Sequence, residues 1–120
     1  MPVLVGLDLI ELERIERALA RHPERFRERC FTPTEVAECE RRKIPSESYA
    51  GRFAAKEAIG KALGVGIEWH WLEVEIAGRG KPGVTLSGFL AEVARRRGVQ
   101  VINLSMTHTR TTAAAVAVAT

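Results

Sequence analysis

The longest regular pattern in the chain is a run of apolar residues over 46–64 that covers nearly the whole circumference of a helix. The run has no interior proline. Ser46 follows Pro45 and is a candidate N-cap, and Gly64 is a candidate C-terminal stop. A helix on a protein surface keeps its apolar residues on one stripe. The pattern therefore predicts one long helix that the rest of the chain largely covers.

Charged residues interrupt this apolar helix at Arg52, Lys56, Glu57 and Lys61. Burying a charge is costly unless it is paired, hydrogen-bonded or bound to a metal. Glu57 and Lys61 are four residues apart and project from the same side of the helix. An intrahelical ion pair is the ordinary interpretation of that spacing. The apolar surroundings favour the alternative, a functional site built on the helix.

Alternation of side chains predicts a strand over residues 2–9. Val3, Val5, Leu7 and Leu9 share one face, and Leu4, Gly6 and Asp8 share the other. Aspartate is disfavoured in strands. Asp8 is therefore either the cap of the helix that follows or a functional carboxylate.

The next segment, residues 11–21, has the spacing of an amphipathic helix. Its apolar stripe is Leu12, Ile15 and Leu19, and its opposite side carries Arg14, Arg17 and Arg21. A row of arginines is usually a solvated face. The functional alternative is a docking strip for an acidic protein or a phosphate.

Further signals divide the remainder of the chain into short elements. Thr32, Pro33 and Glu35 form a capping box that begins a helix running to about Arg42. The later elements are an irregular stretch around 69–71, a strand over 72–77, a turn over 78–83, a strand over 84–86, a helix over 88–97 capped by Ser87, and strands over 99–106 and 112–119. His108 lies at the tip between the last two strands. It is either an exposed loop residue or, together with Arg110, a phosphate contact.

Composition narrows the class of protein. The chain has 120 residues, 46% of them apolar and 28% charged, which suits one globular domain over 1–120. Its net charge of +3 fits an acidic partner or a phosphate-bearing ligand without by itself indicating nucleic acid. Cys30 and Cys39 lack metal-ligand spacing and are expected to be reduced thiols in the cytoplasm. No signal peptide or membrane-spanning run is predicted.

The polar residues that the hydrophobic periodicity does not explain suggest one kind of chemistry. Asp8 and Glu57 are two carboxylates without a Cys or His partner, which suits a hard cation such as Mg²⁺. The cations that could meet them are Arg52, Lys61, Lys81 and His108. Cations at such a site neutralise phosphate charge during transfer. The residues indicate a Mg²⁺-dependent reaction on a phosphate or pyrophosphate ester, and the absence of a Walker A motif argues against a nucleotide kinase.

Five segments of the chain, taken in order, closely resemble the bacterial holo-acyl-carrier-protein synthases, the short type of 4′-phosphopantetheinyl transferase. They are GLDLIE at 6–11, FTPTE at 31–35, GRFAAKEA at 51–58, GKP at 80–82 and SMTHT at 105–109. The resemblance implies an α+β fold in which an antiparallel sheet packs against a long central helix. It also implies a homotrimer with sites between subunits.

The same resemblance implies a reaction and a set of roles. Enzymes of this family move the 4′-phosphopantetheine arm of coenzyme A onto a serine of apo-acyl carrier protein in fatty acid biosynthesis, releasing adenosine 3′,5′-bisphosphate. By similarity, Asp8 and Glu57 hold Mg²⁺, Glu57 activates the serine directly or through a metal-bound water, and Lys61 contacts the pyrophosphate. The other implied contacts are Arg52, Lys81, Pro82 and His108 for coenzyme A, and Arg14 and Arg21 for the carrier.

Two features depart from the family pattern, and two other functions remain open. The connection at 43–45 is short, and the Trp69-His70-Trp71 cluster does not belong to the pattern. One rival function is a basic binding module without catalysis, for which Asp8 and Glu57 would be dispensable. The other is a Mg²⁺-dependent phosphoesterase that uses water as acceptor. Both rank below transfer to a carrier, and the sequence does not select which carrier is used.

Overall fold

A 19-residue helix packed against a three-stranded antiparallel sheet organises the structure, a computed structural model that describes residues 2–78 and 80–120. The elements in chain order are β1 (Leu4–Glu11), α1 (Leu12–Arg21), α2 (Pro23–Cys30), α3 (Pro33–Glu40), α4 (Pro45–Leu63), a 3-10 helix (Trp71–Glu73), β2 (Val74–Ala77), β3 (Gly83–Leu86), α5 (Gly88–Arg96), β4 (Ile102–His108) and β5 (Thr112–Ala119). The predicted α+β fold, an antiparallel sheet against a long central helix, is confirmed.

The sheet places the first and last parts of the chain side by side. Its strand order is β1–β5–β4, so β1 and β4 are the two edges. Asp8 on β1 pairs with Ala115 on β5, which pairs in turn with Met106 on β4. Strands β2 and β3 form a separate two-stranded sheet. None of the helices in the described ranges has the length and apolarity to cross a bilayer.

Small side chains allow α4 to lie unusually close to the sheet. The inward face of β5 consists of four buried alanines at positions 113, 115, 117 and 119. At Gly6 the backbones of β1 and α4 are in contact, because a Cβ built there would lie only 1.8 Å from the carbonyl oxygen of Ala58. The core prediction for the central helix is confirmed, since its residues from Tyr49 to Leu63 are mostly buried.

The face of β1 that packs on α4 is the one that carries Gly6 and Asp8. The more apolar face points outward, and Val5, Leu7 and Leu9 are 59%, 63% and 70% exposed. Their direct partners on β5 are Val118, Val116 and Ala114, which are half-buried. We call these six side chains the outer sheet face. An apolar sheet surface left uncovered in a single chain is typical of a contact with another protein subunit.

A buried ion pair that includes Lys56, the residue before Glu57, holds helix α4 in place. Lys56 and Glu35 are both fully buried, with 2.6 Å between Nζ and Oε1. The Lys56 ammonium also donates to the carbonyl oxygens of Cys30 (2.8 Å) and Trp71 (2.9 Å). The second oxygen of Glu35 accepts from the N–H of Ile76 at 2.8 Å. The pair therefore connects α2, α3, the 3-10 helix and β2 to α4. Burial lowers the pKa of Lys56, and the negative charge of Glu35 partly opposes this effect.

Several predicted caps and boundaries can be compared with the structure. The Thr32–Glu35 capping box is present in both directions, although α3 ends at Glu40. Gly64 ends α4 with φ +74°, as predicted. Ser46 is not the N-cap of α4, because Pro45 already occupies the first helical position, which suits its fixed φ.

Three further details differ from the predictions. Ser87 is the N-cap residue of α5 as predicted, but its side chain makes no capping hydrogen bond, and the carboxylate of Glu73 accepts the N–H of Leu90 at 2.9 Å instead. Asp8 is not a helix cap, because β1 continues three residues further, to Glu11. His108 is the last residue of β4 rather than a residue of the tip. The turn predicted at 78–83 includes Arg79, which lies outside the described residues.

Candidate active site

Lys61 on α4 joins the central helix to β1. Its ammonium donates to Oδ1 of Asp8 at 3.0 Å and to the carbonyl oxygen of Leu7 at 3.1 Å. The Lys61 side chain is 55% exposed and that of Asp8 only 15%, so the pair lies at the mouth of a partly enclosed site. The ion pair therefore runs between helix and strand. It is not the intrahelical pair with Glu57 that the spacing allows.

Glu57 lies one helical turn before Lys61 and is half-buried. Burial raises the pKa of the Glu57 carboxyl, and the negative charge of Asp8 raises it further, while Lys61 and Arg14 partly oppose both effects. Two carboxylates that repel each other in a partly dry site suit a hard divalent cation. In the described part of the chain no cluster of three or more His, Cys, Asp or Glu side chains forms a metal site. This pair fits Mg²⁺, which typically uses only one or two protein carboxylates and takes further oxygens from water and substrate phosphates.

Arg14 lies beside this group of residues. Its guanidinium carbon is 5.8 Å from the ring centre of Phe53, and Phe53 in turn stacks on Trp71 with ring centres 4.6 Å apart. Phe53 precedes Glu57 by one turn of α4. Arg14 also shares a groove along α1 with Arg17 and Arg21. The predicted docking residues Arg14 and Arg21 thus lie on one surface that reaches the carboxylates.

A second group of predicted residues lines an open cleft of about 510 Å³ at the other half of α4. His108 contributes its half-exposed ring, whose Nε2 is 3.9 Å from Glu47 Oε1. Arg52 also lines the cleft, but its buried guanidinium is occupied. It donates to Glu38 Oε2 at 2.6 Å, to Ser48 Oγ at 2.8 Å and to the carbonyl oxygen of Ile76 at 3.3 Å.

Two cations in this cleft are not among the predicted site residues. Arg42 and Lys43 line it together with His108. The sequence predicted Arg42 at the end of the helix that begins at Thr32, and Lys43 only in the short link before α4. The adjacent basic residues were the available signal. Their meeting with His108, more than 60 residues later in the sequence, depends on the tertiary structure.

Lys81 and Pro82 line a neighbouring cleft on the β4 side of the sheet, where Lys81 is exposed and Pro82 is buried. Gly80 and Met106 line both clefts, so the two are contiguous. Together they bring Arg52, His108, Lys81 and Pro82 into one region.

The two groups of predicted residues do not meet within one chain. Asp8 lies on one edge strand and His108 on the other, with β5 between them, and two strand spacings amount to about 10 Å. Along α4, Arg52 and Lys61 are nine residues apart, or roughly 13 Å. The structure thus brings Asp8, Glu57 and Lys61 together and keeps Arg52, Lys81, Pro82 and His108 apart from them.

The model of one protein family matches residues 4–118, and it describes the 4′-phosphopantetheinyl transferase superfamily. Two similar proteins are holo-[acyl-carrier-protein] synthases. That of Moorella thermoacetica is 46% identical over 115 residues, which cover 93% of this chain and 89% of the relative. That of Anaeromyxobacter sp. strain K is 48% identical over 109 residues, which cover 87% of this chain and 84% of the relative.

Solved structures of similar proteins have the same fold. The holo-[acyl-carrier-protein] synthase of Neisseria meningitidis matches with a TM-score of 0.88 and 32% identity, over 98% of this chain and 97% of that one. The Helicobacter pylori synthase, solved in complex with coenzyme A, matches with a TM-score of 0.83 and 35% identity, over 98% and 100%. The family model, the identities and the shared fold agree with the motifs, and the chain belongs to the 4′-phosphopantetheinyl transferase superfamily.

Proposed function

We propose that this chain is a holo-acyl-carrier-protein synthase. It transfers the 4′-phosphopantetheine arm of coenzyme A to a serine of apo-acyl carrier protein, as a step of fatty acid biosynthesis in the cytoplasm. The observation that carries the proposal is the meeting of Asp8, Glu57 and Lys61 where β1 crosses α4, in a chain whose relatives are synthases of this name. The buried, unpaired thiols of Cys30 and Cys39 suit a reducing compartment.

Asp8 and Glu57 are the residues that would hold Mg²⁺. When bound, the ion would supply positive charge against the pyrophosphate of coenzyme A. The fit is supported by the oxygen donors of the two side chains and by the raised pKa of Glu57, which an added positive charge would relieve.

The chain's own residues then account for the proton and the leaving group. The serine hydroxyl oxygen forms a bond to the phosphorus that bears pantetheine, and the bridging P–O bond to adenosine 3′,5′-bisphosphate breaks. Glu57 takes the serine proton, directly or through a water, because its half-buried carboxylate lies at the site beside Asp8 and Lys61. Lys61, held by Asp8 and the Leu7 carbonyl, directs its charge at the leaving phosphate.

The adenosine bisphosphate would occupy the clefts that contain His108, Lys81 and Pro82, with additional charge from Arg42 and Lys43. Arg52 lines the same region. Because its guanidinium donates to Glu38, Ser48 and the backbone, we assign it the task of shaping the cleft as well as contributing charge. Arg14 and Arg21 would dock the acidic carrier along α1.

A homotrimer would complete this site. Two observations support it: the outer sheet face is apolar and exposed, and the carboxylate group and the nucleotide clefts lie at opposite edges of one sheet. In such an assembly, Asp8, Glu57 and Lys61 of one subunit would face the clefts of its neighbour. The bound phosphates would then lie between the two groups of residues that a single chain keeps apart.

Intact-mass analysis of an apo-acyl carrier protein after incubation with the enzyme, coenzyme A and Mg²⁺ tests the proposal. A gain of one phosphopantetheine group that disappears with EDTA is the expected result. Coenzyme A cleaved without any gain on the carrier would instead identify a phosphoesterase. Intact coenzyme A and an unmodified carrier, across several bacterial carriers, would favour a binding module.

A further inference from the structure

One large aromatic side chain in the loop after α4 is left in solvent. Trp69 is 86% exposed, more than any other large hydrophobic side chain that the structure describes. Its neighbour Trp71 is 6% exposed and stacks on Phe53 at 4.6 Å. The fold therefore uses Trp71 for packing and leaves Trp69 free to contact a partner.

The loop that carries Trp69, residues 64–70, folds back over the end of α4. The N–H of Val65 donates to the carbonyl oxygen of Gly60 at 2.8 Å, and a Cβ built at Gly60 would lie 3.4 Å from Ile67. Gly60 immediately precedes Lys61. The loop is thus in contact with the turn of α4 that bears the site's lysine.

An ion pair ties the same loop to the basic end of α2. Glu68 Oε2 lies 3.6 Å from Arg29 Nη2. Trp69, next in the chain, therefore lies on a loop held between α2 and the turn of α4 that bears Lys61.

The surroundings of Trp69 favour a protein partner with acidic and apolar side chains. Arg29 pairs with Glu68, the residue before Trp69, and the groove of Arg14, Arg17 and Arg21 adds further cations along α1. Exposed tryptophan next to arginine is the composition of binding hot spots. The cations available to the nucleotide of coenzyme A lie in the clefts near β4, at the other edge of the sheet.

We propose that Trp69 is a contact residue for the acyl carrier protein, packing on apolar side chains close to the acceptor serine. This inference rests on the proposed function. It extends the docking surface from α1 to the loop after α4. It also assigns a role in carrier recognition to the Trp69-His70-Trp71 cluster, which departs from the family pattern.

Steady-state kinetics with a bacterial apo-acyl carrier protein that the wild type modifies provides the first test. Trp69→Ala is expected to raise the KM for the carrier about tenfold and to change the KM for coenzyme A by less than twofold. Trp69→Phe is expected to recover most of the loss.

Leu72→Ala is the matched control. Leu72 is 51% exposed and lies only three residues away, but it lines a groove with Phe31 and Val36 between α2 and α3. The KM of the Leu72→Ala variant for the carrier should equal that of the wild type.

Fluorescence gives a second readout that does not depend on turnover. Without coenzyme A, a carrier that lacks tryptophan and has its acceptor serine replaced by alanine should shift the wild-type emission to shorter wavelength. The shift should be absent in Trp69→Phe, since Trp71 is already buried.

The outcomes separate this inference from the proposed function. If the wild type is active and Trp69→Ala leaves the KM for the carrier unchanged, the inference alone is overturned. The inference is also overturned if the KM for coenzyme A rises by the same factor as the KM for the carrier. A wild type that modifies no carrier would overturn the proposed function and this inference with it.

Discussion

Replacing Gly6 by alanine tests the contact that brings the site together. The new Cβ would lie 1.8 Å from the carbonyl oxygen of Ala58 and 2.7 Å from the nitrogen of Ala62. Both atoms belong to the backbone of α4, so no side chain can move aside to relieve the clash. To reach even 3.0 Å from the oxygen, β1 and α4 must separate by about 1.2 Å.

This separation should cost both stability and activity. Overpacking of a core usually costs about 1–3 kcal/mol, and a clash of backbone with Cβ belongs at the upper end, so we expect about 3 kcal/mol or more. For a chain of this length that corresponds to a fall in Tm of roughly 10 °C. Asp8 follows Gly6 by two residues and would move away from Lys61 and Glu57. A displacement of about 1 Å at a catalytic group can cost on the order of 10²-fold in rate, and we expect kcat to fall by this factor.

Urea unfolding at a fixed protein concentration and kinetics well below the Tm would measure the two effects. The matched control is Gly66→Ala, because a Cβ at Gly66 has no atom within 4 Å. Its free energy of unfolding should stay within about 0.5 kcal/mol of the wild type. A Gly6→Ala variant as stable and as active as Gly66→Ala would refute the claim that this backbone contact sets the geometry of the site.

Four other variants test separate parts of the structure. Glu57→Gln should reduce transfer at least 10²-fold in the intact-mass assay without lowering the free energy of unfolding, because it removes a charge that Asp8 repels; near wild-type transfer would contradict the assignment. Lys56→Met should lower the free energy of unfolding in urea by about 3–5 kcal/mol, since it leaves a buried carboxylate unpaired, and a loss under 1 kcal/mol would show that the pair is dispensable. Combined Arg14→Glu and Arg21→Glu should raise the KM for the carrier and not for coenzyme A; equal increases would argue against docking on α1. Leu7→Lys on the outer sheet face should convert a trimer to a monomer in light scattering at equal concentration, and an unchanged mass would exclude this face as the interface.

Local patterns in the sequence were sufficient for the elements whose causes are local. The capping box at Thr32 and Glu35 and the stop at Gly64 depend on residues within one turn, and both are confirmed. The apolar residues all round the axis of the central helix were enough to predict that the rest of the chain covers it. Alternation along β1 put Asp8 on the same face as Gly6, and the structure packs that face on α4.

Other features could not be predicted because their causes lie far apart in the sequence. Alternation along β1 defined its two faces without showing which one is buried, and only the face with Gly6 permits contact between the backbones of β1 and α4. Arg52 looked available for phosphate, and its partner Glu38 lies 14 residues away on another helix. Ser87 holds the predicted N-cap position of α5, but the side chain that accepts a hydrogen bond from the first turn is Glu73, likewise 14 residues away. The assignment of the site residues to metal, coenzyme A and carrier stays a prediction.

The outer sheet face has a consequence for the newly synthesised chain. An edge strand whose side chains are valine and leucine, with its hydrogen-bonding groups open on one side, is a template for misassociation with any unfolded neighbour. In the proposed trimer, each new subunit would be at risk until a correct copy covers that face. The yield of folded protein would then depend on how fast subunits find one another, and slow synthesis at low concentration would leave a larger share of chains to proteases.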